Sequence, residues 1–201
     1  MSKRASTLEL AVLGLLHDAP QHGYELRKRL TALLGWGRSL SYGSLYPCLK
    51  DLMAAGWITE DAPVGEPVGA AAARSRRGKI VYKLTADGKE HFQELLADAG
   101  PAAWEDEGFG VHLAFFGRTD QEVRLRILEG RRSRLEERRD GARTAIQRAR
   151  DRLDEYTLEL HRHGLESVDR EVRWLTELIH TEQQRSPRTP PPTGVAPPTG
   201  D

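Results

Sequence analysis

Between Ser41 and Lys50 the chain reads SYGSLYPCLK, residue types suited to gripping phosphates and base edges rather than to making bonds. Ser41, Tyr42, Ser44 and Tyr46 set hydroxyl groups around the start of an apolar repeat, Leu45, Leu49 and Leu52/Met53, which predicts a short helix with one apolar face and a polar N-terminal half. At such an end the backbone N–H groups and the positive end of the helix dipole attract an anion. Lys50 follows Tyr46 by one turn, on the same side. Two caps are compatible with the sequence. With Ser44 as cap, Pro47 occupies the third helical position, where its missing N–H costs no hydrogen bond; with Ser41 as cap, the helix must bend or lose a bond at Pro47. A second polar stretch, Arg74-Ser75-Arg76-Arg77-Gly78-Lys79, carries four cations in six residues, so Arg74, Arg76, Arg77 and Lys79 are suited to phosphates or a minor groove.

Other chemistries find little support. His161 and His163 are two residues apart on a predicted helix and diverge, and no further His, Asp or Glu is spaced to complete a metal site, so no metal or cofactor is expected. A glycine-rich phosphate loop between strand and helix, a nucleophile elbow and a carboxylate pair in apolar surroundings are all missing from the sequence, and no enzyme is expected. Glu105-Asp106-Glu107 reads as a solvated cluster or a helix cap. Cys48 is the single cysteine, which rules out an internal disulfide and agrees with a reducing compartment.

The elements that must hold these residues follow from periodicity. Thr7 is the expected cap of a first helix in which Leu8, Val12, Leu15 and Leu16 share a face, widened by Leu10 and Leu13. Asp18-Ala19-Pro20 ends it, and Gln21-His22-Gly23 is expected to open a second helix carrying Leu26, Leu30 and Leu33/Leu34. With the helix described above, these form a tri-helical DNA-binding core. Trp57-Ile58-Thr59 and Lys79 to Leu84 alternate as a hairpin, joined by a long connection that holds the basic run, and Thr85 caps a further helix with Phe92, Leu95 and Leu96 inward. The expected fold is mainly α with a small β wing: an N-terminal winged helix-turn-helix over residues 1–100, a C-terminal α-helical dimerisation domain over 101–185, and a disordered proline-rich tail over 186–201.

LAVLGLL, HGYEL, SYGSLYPCLKDLMAAGWI and KIVYKLTADGKEHF together resemble the PadR family of bacterial transcriptional regulators over the first half of the chain. The resemblance implies a winged helix-turn-helix, a homodimer, and repression of promoters relieved by a small molecule or another signal. By position, Tyr42, Ser44, Tyr46 and Lys50 match its recognition helix, and Arg76, Arg77 and Lys79 its wing; the long alanine-containing wing loop is a departure. RRSRLE and HGLESVDREVRWLTELI are similar to the larger C-terminal domain of one PadR subfamily.

In that second half a charged helix is expected from Thr119-Asp120 to about His163, with Leu125, Leu128, Leu135, Ala142, Ile146, Ala149, Leu153, Tyr156 and Leu160 on alternate three- and four-residue steps. Gly164 is expected to break it before a last helix carrying Val168, Val172, Leu175 and Ile179. The dimerisation seam is expected on Leu125, Leu128, Leu135, Ile146, Leu153, Tyr156, Leu160, Val172, Leu175 and Ile179. Trp104, Phe109 and His112, in an aromatic connector, are candidates for holding a planar effector, although aromatics at a junction more often form core.

Charge alone does not carry a DNA-binding reading. Lys and Arg number 30 against 30 Asp and Glu, and residues 1–98 hold 13 cations against 11 anions. The expectation of double-stranded DNA with a pseudo-palindromic operator therefore rests on the local clusters. A protein-interaction module whose basic wing meets an acidic partner is the competing reading. No apolar run approaches a membrane span, and a cytoplasmic location is expected.

Overall fold

A computed structural model of the protein describes residues 3–34, 42–61, 80–149 and 152–185. In chain order these form α1 (Lys3–Asp18), β1 (Gln21–His22), α2 (Gly23–Leu34), α3 (Tyr42–Ala54), β2 (Ile58–Asp61), β3 (Val81–Leu84), α4 (Ala86–Ala97), α5 (Pro101–Trp104), α6 (Phe109–Ala114), a 3-10 turn (Phe116–Arg118), α7 (Gln121–Ala149) and α8 (Glu155–Gln184). The architecture is mainly α with a small antiparallel wing and extra C-terminal helices. No described helix is long and apolar enough to cross a membrane.

α1 is the centre of the first core. Leu10, Ala11, Val12, Leu13, Leu15 and Leu16 are all buried, because α2, α3, α4, α6 and β3 pack around the helix. Leu26 and Leu30 of α2, Leu45, Leu49 and Leu52 of α3, and Phe92 and Leu96 of α4 complete the cluster. Thr7 does not cap α1: the helix starts at Lys3 and Thr7 lies more than a turn inside it, so the apolar repeat fixed the helix but not its start.

Gln21 and His22 also depart from expectation. They form a strand instead of opening α2, pairing with β3 in the register Gln21↔Tyr82 and His22↔Val81. Gln21 is buried, and its side-chain amide donates to the carbonyl of Leu15 at 2.6 Å, which ties the strand to the end of α1. β2 pairs with the other edge of β3, from Ile58↔Leu84 to Asp61↔Val81, giving the sheet order β1-β3-β2.

α3 ends in a Schellman motif. Gly56 has φ +78°, its N–H reaches the carbonyl of Met53 at 3.0 Å, and that of Trp57 reaches Leu52 at 3.0 Å. Thr85 then caps α4 as the sequence predicts: its hydroxyl accepts from Gly88 N–H at 3.0 Å and lies 2.7 Å from the carbonyl of Gly56, which it donates to. A Cβ on Gly88 would sit 1.9 Å from the Trp57 carbonyl oxygen, so only glycine lets α4 lie against the root of the wing.

A second core joins α7 and α8. Ile127, Leu128 and Leu135 of α7 meet Val172, Leu175 and Ile179 of α8, with Ala103 and Phe109 of the connector against them. The long helix stops at Ala149, not near His163, and α8 begins at Glu155. Asp154 caps α8, accepting from Thr157 N–H at 2.9 Å and from its hydroxyl at 2.6 Å. Gly164 breaks nothing and lies inside α8, since a glycine costs a helix only about 1 kcal/mol.

Candidate nucleic-acid interface

The third helix presents its faces as its apolar repeat demands. Leu45, Leu49 and Leu52 are buried against α1, whereas Ser44, Tyr46, Pro47, Lys50 and Asp51 are exposed along the opposite arc. Tyr42 begins the helix, so Ser44 lies within it and does not cap it. Pro47 is then inside the helix, and its missing N–H leaves the carbonyl of residue 43 without its helical donor. That is the bent or broken alternative of the two that the sequence allowed.

Tyr46 is 38% exposed, and its hydroxyl oxygen lies 3.9 Å from where a Cβ on Gly23 would stand, while that same position is 3.3 Å from the ring of Tyr82. Gly23 therefore lets the start of α2, α3 and the central wing strand converge. Burial, then the nearby Glu60 and Tyr46, push the Tyr82 phenol above its ordinary pKa, so it remains a neutral hydroxyl here. Cys48, half-buried on the same helix, has its thiol pushed up to about 12 by burial and the nearby carboxylates of Glu9 and Asp51; it is chemically quiet.

The base of the wing is braced from below. The Trp57 ring stacks on His91 of α4 with centroids 3.6 Å apart and planes 15° from parallel. His91 Nε2 lies 2.8 Å from Glu9 Oε1 of α1, and Nδ1 lies 3.3 Å from Glu94 Oε2. Sequence reasoning missed this bridge, which joins three segments far apart in the chain.

Of the sequence-predicted DNA contacts, Ser44, Tyr46 and Lys50 are brought to one exposed arc, and the side chain of Tyr42 together with Ser41, Arg74, Arg76, Arg77 and Lys79 lies outside the described residues. The two ends of the wing connection, Asp61 and Val81, are paired across the sheet.

Residues 12–94 match the model described as the transcriptional regulator PadR-like family. That segment, from α1 to α4, is PadR-like. PadR-like proteins are transcriptional regulators rather than enzymes. Solved structures similar to this chain include Bacillus subtilis PadR in complex with operator DNA, at 20% identity over 87% of this chain and 98% of that chain with a TM-score of 0.39. The same regulator in complex with p-coumaric acid matches at 19% identity over 89% and 99% of the two chains with a TM-score of 0.39. The PadR-like regulator BC1756 from Bacillus cereus matches at 18% identity over 88% and 98%, with a TM-score of 0.38. No curated protein matches this chain.

The C-terminal candidates divide. Leu128, Leu135, Val172, Leu175 and Ile179 are buried within one chain, where they form the seam between α7 and α8; this corrects their assignment to a surface offered to a partner. Leu125, Ile146 and Leu153 are half-buried, and Tyr156 and Leu160 are 87% and 69% exposed. The latter pair are on α8, beyond the break that the heptad reading ran through.

The aromatic candidates for an effector site are used in packing. Phe109 is buried with its ring edge-on to Trp174, and Trp104 lies over Gly130, where a Cβ would approach its ring to 2.5 Å. His112 is buried with Nδ1 lacking a hydrogen-bond partner, and burial pushes its pKa down, so it is a neutral imidazole.

Buried charges were also missed. Arg131 is 7% exposed and Glu182 2% exposed. Glu182 accepts from Arg124 Nε at 2.8 Å and from Arg185 at 2.6 Å, pinning the end of α8 to the start of α7. Arg131 lies four residues after Ile127 and four before Leu135, so a 3.6-residue period would have flagged it where the heptad pattern did not.

Proposed function

We propose that this PadR-like regulator is a homodimeric repressor that binds a pseudo-palindromic operator and releases it in response to a small molecule or other signal. The observation that carries the DNA reading is the division of α3: three buried leucines fix the helix to the core, and Ser44, Tyr46 and Lys50 stand on the arc turned to solvent. Serine and tyrosine hydroxyls there suit base edges and phosphates, and Lys50 suits a phosphate. Asp51 on the same arc repels the backbone, so affinity rests on partners beyond this helix. Arg74, Arg76, Arg77 and Lys79 are the proposed wing contacts.

The dimer is proposed through the distal part of the α7–α8 hairpin. No residue described between 141 and 165 is buried, and Tyr156 and Leu160 are exposed there beside Ile146 and Leu153, so a second copy would supply the burial that one chain lacks. Two recognition helices about 34 Å apart would then meet successive turns of one DNA face. The proposed effector site lies near Trp104, Phe109 and His112, whose unpartnered Nδ1 would accept a hydrogen bond from a ligand.

A gel shift with the chain's own upstream region, repeated across a salt series against random duplex, tests the reading. Specific retardation that weakens steeply with salt is expected. Equal retardation of random duplex would reject it in favour of an acidic protein partner. Sedimentation of Leu160→Asp should show a monomer where the unaltered chain sediments as a dimer.

A further inference from the structure

We propose that Arg131 is a positioning residue that fixes the half-site spacing the regulator accepts, by locking the connector α6 to the α7–α8 hairpin. The inference rests on the dimeric DNA-binding reading above.

α6 and the turn that follows it form a rivet with two faces. Val111 and Phe115 are buried in the core of the winged helix, while Phe109, Leu113 and Phe116 pack into the core of the hairpin. Whatever fixes α6 against the hairpin therefore fixes the angle between recognition helix and dimer face. On the winged-helix side the fit is apolar: Phe115 fills the notch at Gly14 and meets Phe92 edge-on at 5.6 Å, with Arg118 of the following turn paired to Asp18.

On the hairpin side the bond is directional. From α7, the guanidinium of Arg131 donates to the Trp104 carbonyl at 3.2 Å and to Asp106 Oδ1 at 2.6 Å, both in the connector. Its Nε and second amino group donate to Glu171 Oε1 of α8 at 2.9 and 2.8 Å, and its carbon lies 5.2 Å from the Phe109 ring centroid in α6. Arg138 holds the other oxygen of Asp106 at 2.8 Å. Apolar packing resists separation but tolerates small rotations; a planar fork with partners on three elements resists rotation too. Breaking a buried pair of this kind leaves charge uncompensated, whereas keeping it selects one arrangement among several.

Small rotations matter here. A domain of about 100 residues has a radius of gyration of about 13 Å, so a lever of about 20 Å joins α6 to the far side of the winged helix. A rotation of roughly 10° over that lever shifts the DNA-facing surface by about 3.5 Å, one base-pair rise. Holding α6 to a few degrees is what a one-base-pair spacing preference requires.

The test uses the full-length protein and an operator selected from a random duplex pool with the unaltered chain. Binding is measured to duplexes whose half-site separation is changed by one or two base pairs in either direction, for the unaltered protein, Arg131→Gln and Asp106→Asn. The unaltered protein should lose about tenfold per base pair of change, within the range of a single mismatched pair. Both variants should vary by less than threefold across the series and retain the affinity for an isolated half-site. A purely structural role would lower affinity at every spacing alike. Asp106 is 57% exposed, so Asp106→Asn remains decisive if Arg131→Gln does not fold. A second readout needs no DNA: with spin labels at Asp87→Cys and Glu137→Cys in a Cys48→Ser background, diluted with unlabelled chain, the distance distribution should broaden in both variants. Variants with an unaltered spacing profile, or with an unbroadened distribution, overturn the inference alone. An unaltered chain that prefers no duplex overturns the dimeric DNA-binding reading and the inference together.

Discussion

Replacing Gly14 by alanine should destabilise the protein by about 2 kcal/mol, although alanine is the better helix former. The added Cβ would lie 2.2, 2.5 and 2.7 Å from three carbons of the Phe115 ring. Ordinary carbon contacts are about 3.5–4.0 Å, so the ring must retreat by more than an ångström. It has little room: Phe115 is 6% exposed and its edge meets Phe92, which is fully buried. Overpacking costs roughly 1–3 kcal/mol, and a clash this deep against a ring without room falls at the upper end, about 3, offset by up to about 1 kcal/mol of helix propensity. For a chain of this size the net loss corresponds to a fall in Tm of about 4–8 °C in a thermal melt followed by circular dichroism. Gly164→Ala is the control, since nothing lies within 4 Å of its Cβ position inside α8; it should raise Tm by about 2 °C. Phe115→Leu in the Gly14→Ala background should recover part of the loss, a coupling measurable in a double-mutant cycle. A Gly14→Ala protein that melts at or above the unaltered temperature would refute the steric reasoning.

Three further outcomes are expected. Lys50→Ala should weaken binding to all duplexes alike and flatten the salt slope by about 1.8, from one phosphate contact in each of two subunits; a changed sequence preference at constant affinity would contradict the role given to Lys50. Hydrogen bonding to Arg131, aided by Arg138, holds the Asp106 carboxyl below its ordinary pKa against the opposing effect of burial, so its stabilising contribution is complete above about pH 5, where the unfolded-state carboxyl is also ionised, and fades as pH falls through the lower folded-state value. The stability gap between the unaltered protein and Asp106→Asn, measured by urea titration, should therefore be constant near neutrality and close below about pH 4. Cys48, with its thiol at about 12, should react with a maleimide at pH 8 far more slowly in the folded protein than in denaturant.

What the sequence made legible was decided by the reach of each signal. Leu45, Leu49 and Leu52 mark α3, and Thr85 with Gly88 marks the start of α4, because these arrangements are local in the chain. Thr7 misled because a hydroxyl can precede an apolar run without ending the helix. Gly164 misled because its cost to α8 is small, while the true break is marked by the Asp154 and Thr157 pair. The strand at Gln21 and His22 was illegible: two residues carry no period, and they are extended only because β3 lies alongside. Arg131, Glu182 and the Glu9–His91 bridge read as surface charges, since partners 25 to 82 residues away cannot be paired from one sequence. Of the residues proposed to face DNA, the exposed arc on α3 follows from periodicity, whereas the proposed wing contacts lie outside the described residues.

The pairing of Asp61 with Val81 has a consequence for how such a wing can vary. Residues 62–80 leave and re-enter the sheet at neighbouring points across a single antiparallel pair, about 5 Å apart. Neither the register of β2 on β3 nor the pairing of β1 with β3's other edge involves a residue of that segment. The sheet is in effect a socket: the charges carried between its two lips can be rewritten without changing any residue of the described sheet or of α3.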